Sequence, residues 1–167
     1  MIKLLRASLP AKRRLTRVLA LAASLSVALG LMAVPAQAAM ICSGAPAINL
    51  CLWIDGQGNN RYRVHVGIDV HMSLAEAQEY VDDAGDPFSA VIIGSAGLIR
   101  FGVPQVGLGA TSESGLSGDF EIVVLGSQLN ENPGGQDRIR ARVQLIDTDT
   151  NRITGTFTSG EIIGNWS

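Results

Sequence analysis

The chain has 167 residues, 13 of them basic and 15 acidic, and six of the basic ones, including every lysine, precede Ala38. The segment after Ala38 holds seven arginines against 15 acids, a formal charge of −8. That balance argues against nucleic acid and anionic membrane surfaces as partners, because affinity for phosphate comes from clustered Lys and Arg; Schiff-base, Ser-Lys and Lys-Asn cross-linking chemistries lack their amine.

Lys3, Arg6, Lys12, Arg13, Arg14 and Arg17 lead into an uncharged run over residues 18–34, then Pro35 and the small-residue sequence Ala36-Gln37-Ala38. This order predicts a secretory signal peptide over residues 1–38, cleaved after Ala38, with no membrane span left after cleavage. An uncleaved anchor is the competing reading, since the run reaches the lower edge of spanning length, but Ser24, Ser26 and Gly30 dilute its hydrophobicity. Arg13-Arg14 is followed by Leu15-Thr16-Arg17 rather than by apolar residues, which favours the general secretion route over the twin-arginine one. Met40 and Ile41 before Cys42 argue against a lipid anchor. Frequent Ala and Gly, with Arg in place of Lys, suggest a GC-rich bacterial genome.

Residues 39–167 have the size of a single domain. Cys42 and Cys51 are the only cysteines, and in an exported chain they predict a disulfide closing a short loop. Leu50, Leu52 and Ile54 then alternate with Cys51, Trp53 and Asp55, the period of a strand with one buried face, and residues 56–60 supply a turn.

The segment 61–71 alternates most strictly: Tyr62, Val64, Val66, Ile68 and Val70 on one side, Arg63, His65, Asp69 and His71 on the other. It carries both histidines of the chain. Six residues of strand span about 20 Å, so His65 and His71 are too far apart to share a metal. Asp69 and His71 are close enough to act as two ligands, or as an Asp orienting a His. The plainer expectation is a solvated strand face.

Ser73 and Glu76 form a capping-box pattern ahead of Leu74, Ala77 and Val81, predicting one short helix around residues 74–82. Short strands are expected at 90–93 and 98–101. The glycine-rich stretch 94–118 reads mostly as an irregular loop and as the partner-contacting surface; its Gly107-Leu108-Gly109 fragment lacks the third Gly and the Lys of a phosphate loop.

Alternation returns at 119–124 and at 138–146, where Arg138, Arg140 and Arg142 line one face. That stripe suits an anionic ligand such as a carboxylated glycan or phosphate, or cross-strand pairing with Asp119 or Glu121. Asp147-Thr148-Asp149-Thr150-Asn151 sets Asp147, Asp149 and Asn151 in the opening rhythm of a calcium loop, but Arg152 and Thr158 replace the Gly and Glu that such a loop requires. Hairpin-turn chemistry explains the same residues. Strands at 153–157 and 162–166 close the chain.

These elements predict a mainly all-β fold, an antiparallel β-sandwich with one short helix, for which an immunoglobulin-like layout is one form; a small closed barrel is the alternative. No catalytic set stands out. The expected function is an exported binding or interaction module at the cell envelope or outside the cell, with a protein or glycan partner. A calcium- or metal-dependent binding module and an envelope-polymer hydrolase with paired carboxylates are the alternatives.

Overall fold

The computed structural model describes residues 38–166; the expected leader, apart from Ala38, lies outside the described residues. Ten strands are described: β1 (Ala39–Ala45), β2 (Ile48–Gly58), β3 (Arg61–Val70), β4 (Phe88–Gly94), β5 (Arg100–Val103), β6 (Gln105–Thr111), β7 (Gly115–Leu125), β8 (Asp137–Asp147), β9 (Arg152–Thr158) and β10 (Ile162–Gly164). One α-helix, α1 (Leu74–Asp82), links β3 to β4. Among the described residues no helix is long and apolar enough to cross a membrane.

The strands form two antiparallel sheets, as the alternation predicts. The first runs β1-β2-β3-β7-β6; the second runs β10-β8-β4-β5, with β9 also paired to β8. Leu52 on β2, Val64 and Val66 on β3, Phe120 on β7, Ile92 on β4 and Ile139, Ala141 and Val143 on β8 fill the space between them and are almost wholly buried. Because β1, β2 and β3 are successive neighbours in one sheet, the strand order differs from the immunoglobulin one, in which the third strand lies in the opposite sheet.

Local chemistry sets the joints. Asn59 and Asn60 both take positive φ, 51° and 54°, between Gly58 and Arg61, the two-residue turn whose twist matches a hairpin. Ser73 caps α1 by accepting the Glu76 N–H at 3.2 Å, and Ala77, fully buried, seats the helix, which packs against β6 and β7. Gly115, at φ +75°, leaves no room for a side chain: a Cβ there would lie 2.3 Å from the Val70 carbonyl oxygen.

The two sheets are joined at both edges. On one edge the chain passes from β5 in the second sheet to β6 in the first through Pro104, whose carbonyl accepts the Glu121 N–H at 3.1 Å. On the other edge the Ser43 hydroxyl of β1 accepts the Gly160 N–H at 2.7 Å. The ladders remain separate, so the closed barrel does not form.

One expectation is corrected. The stretch 94–118 is not mainly loop: it supplies β5, β6 and the start of β7, and β6 pairs with β7 from Gln105 to Thr111. The expected Cys42–Cys51 disulfide is present, and the short segment it closes is the β1–β2 hairpin, in which the two cysteines are directly opposed and bonded at 2.03 Å.

Candidate functional site

The polar side of β3 faces outward from the first sheet. Trp53, His65 and Glu121 are successive cross-strand partners and therefore neighbours on one face. The His65 imidazole lies 3.3 Å from an Asp119 carboxylate oxygen through Nε2 and 3.6 Å from Glu121 through Nδ1, with Trp53 edge-on at 4.9 Å. Asp69 accepts a hydrogen bond from the Ser117 hydroxyl at 2.7 Å, and Ser117, Ser114 and Thr111 continue as a chain of hydroxyls along the β6–β7 hairpin. His71 lies just beyond β3, exposed, with its backbone N–H on the Ala47 carbonyl. The side-chain partner of Asp69 is thus Ser117 rather than His71. Among the described residues no three His, Cys, Asp or Glu side chains gather as a cation cage.

The β8–β9 turn shows where Asp147, Asp149 and Asn151 go. Asp147 accepts the Thr150 N–H at 2.8 Å, and Asn151 takes the left-handed conformation at φ 53° that turns the chain into β9. The backbone and hydroxyl of Thr150 hold the Asp147 carboxyl below its usual range. Thr148 donates its hydroxyl to Asp83 at 2.8 Å, which draws the turn toward α1 and leaves an acidic cleft of about 170 Å³ with Glu76 and Glu79 on its far side. A general acid of a paired-carboxylate hydrolase needs its pKa raised, and Asp147 is shifted the other way.

The arginine stripe gains its context from the second sheet. Arg100 on β5 and Arg140 on β8 are both cross-strand partners of Ile93, and Arg142 is the partner of Val91. Paired residues share a face, so Arg100, Arg138, Arg140 and Arg142 all stand on the outer side of this sheet, the first and third about 10 Å apart across Ile93. Four of the seven arginines after Ala38 are therefore gathered on one surface. Their paired carboxylate is Glu161, not the Asp119 or Glu121 weighed from sequence, which lie on the first sheet.

Glu161 is delivered there by a break in the edge strand. After β9 leaves the ladder, the Ser159 N–H bonds to the Ala141 carbonyl at 2.9 Å, and its hydroxyl accepts the Ala141 N–H at 2.9 Å. This side chain stands in for a missing backbone acceptor, and the chain re-enters as β10 with Glu161 beside β8. Arg138 Nη1 reaches Glu161 Oε2 at 2.9 Å, while Arg140 donates from Nε at 3.0 Å and from Nη2 to Oε1. Arg140 first and Arg138 second hold the Glu161 carboxyl below its ordinary value. Arg100 and Arg142 have no ion-pair partner among the described residues.

Arg100 and Glu161 were not singled out by sequence reasoning. For Arg100 the signal was present, since it separates the inward-facing Ile99 and Phe101. For Glu161 it was not, because its partners lie 23 and 21 residues away. The chain matches no protein-family model, no curated protein and no solved structure.

Proposed function

We propose that the protein is an exported bacterial binding module that holds a carboxylated envelope glycan against the outer face of its second sheet. The observation that carries this reading is the gathering of Arg100, Arg138, Arg140 and Arg142 on one face of an otherwise acidic chain, with a single paired carboxylate. Guanidinium forks suit planar carboxylates in two-point hydrogen bonding, and Val91 and Ile93 between them offer an apolar floor to a sugar ring. Export is supported by the leader pattern, and the Cys42–Cys51 bridge suits an oxidising compartment.

In this reading Glu161 is the resident anion, occupying Arg138 and Arg140 until a ligand carboxylate competes for them. Titration calorimetry with polygalacturonate and with neutral dextran tests it. Binding of polygalacturonate alone is expected, weakening with salt, with a loss of about tenfold in Arg142→Ala, the size expected for one charge-assisted hydrogen bond. Glu161→Gln is expected to bind more tightly. Equal affinity for both polymers, or unchanged affinity in Arg142→Ala and Arg100→Ala, contradicts it.

A further inference from the structure

Strand register gives the outer faces of the two sheets opposite characters. On the first sheet Met40, Trp53, His65 and Glu121 are successive cross-strand partners, and Asp119 and Asp69 stand on the same side in the rows beyond. Gly67 keeps this surface low: two Trp53 ring atoms lie 3.3 and 3.5 Å from where a Gly67 Cβ would stand, with an Asp119 carboxylate oxygen 3.5 Å from the same point. The indole therefore lies across β3, beside the acids. Among the described residues Asp119 and Glu121 form ion pairs with His65 alone. Arg61 and Arg63 share the face toward the β2–β3 turn, where Asp55 holds Arg63 at 2.9 Å.

A partly exposed indole bordered by carboxylates suits a guanidinium, which can stack on the ring while its N–H groups reach the acids. The second sheet carries that group on its own outer face. Arg100 and Arg142 have no ion-pair partner among the described residues, and Arg140 and Arg142 repeat along β8 at the same spacing, about 6.6 Å, as Asp119 and Glu121 along β7. Apolar surface is matched as well. Met40, 62 % exposed, adjoins Trp53 on one face, while Val91, Ile93 and Ile163, the last 48 % exposed, adjoin the arginines on the other.

We infer that the partner of the acidic Trp53 face is a second copy of this chain, which presents its arginine face. Because the two surfaces lie on opposite sides of the sandwich, every contact leaves one face of each kind free, and repetition builds an open stack rather than a closed dimer. A five-stranded face offers roughly 500 Å² per copy, below the 800 Å² or so per partner of a stable complex. The stack is therefore weak and concentration-dependent, with charge setting its register. It forms without any glycan, and a polymer on the arginine face competes with it.

Sedimentation velocity of the protein over a concentration series, without glycan, tests this at low and at high salt. At low salt the mean sedimentation coefficient should climb with concentration past the dimer value, and at high salt it should fall to that of the monomer. Two neutralised variants identify the faces: Arg100→Ala with Arg142→Ala, and Asp119→Asn with Glu121→Gln. Each alone should associate about tenfold more weakly, the worth of two exposed ion pairs. Mixed in equal amounts, they still hold one intact face of each kind, so they should recover wild-type affinity but stop at one copy of each. A wild type that stays monomeric at low salt, that stops at the dimer, or that associates equally at high salt overturns the assignment without recourse to a variant. So does wild-type association by either variant alone, or a mixture that behaves as its separate parts.

Discussion

Ser159 and Glu161 show how single side chains shape the arginine face. Replacing Ser159 with Ala would leave the N–H of Ala141, a fully buried residue of β8, without its acceptor. The expected cost is about 1–3 kcal/mol, measurable as a lower denaturation midpoint with an unchanged slope. Glu161 adds a dependence on pH. Its carboxyl is held below the ordinary value of 4.5 by Arg140 and Arg138, so the stability it contributes is fully present above pH 4.5 and is lost as pH falls through the lower, folded value. Acid denaturation followed by circular dichroism should therefore be less steep in Glu161→Gln than in the wild type over that window. The contrast with Asp147 explains what could be read in advance. Asp147 bonds three residues ahead within one turn, which spacing reveals, whereas the partners of Glu161 follow from strand order, which spacing does not encode.

The same division holds for strands and hairpins. β3 and β8 stand out in sequence because branched residues alternate with charged ones, and α1 because its cap and apolar spacing agree. β1 and β6 do not: Ala39, Ser43, Gly44, Gly107 and Gly109 carry little hydrophobic contrast, and their pairing is imposed by β2 and β7 alongside. The disulfide pins the first of these hairpins. Replacing both Cys42 and Cys51 with Ser should cost about 2–3 kcal/mol by the loop-entropy relation, seen in equilibrium unfolding of the oxidised wild type against the variant. At the opposite edge, Gly118→Val should drive a side chain into the Phe88 ring, whose atoms lie 2.7 and 3.0 Å from the Cβ position. Overpacking of about 1–3 kcal/mol is expected, together with loss of the edge-to-face contact with Phe120.

The charge of the protein is divided between its surfaces. A formal charge of −8 describes the sum over residues 39–167, yet the outer side of the second sheet gathers four arginines around Val91 and Ile93, while the outer side of the first bears Asp55, Asp69, Asp119 and Glu121. Composition alone steers away from anionic partners; folding creates a local surface that composition averages away. The stripe Arg138, Arg140 and Arg142 was legible as a strand face, but the contribution of Arg100 and the resident Glu161 required the sheet. The most direct test of this division is to map bound oligogalacturonate by NMR on the protein at low salt. The account predicts shifts confined to residues 91, 93, 100, 102, 138–142 and 158, fading as salt is added. Shifts centred on Trp53 and His65, or on the acidic cleft between α1 and the β8–β9 turn, would contradict it.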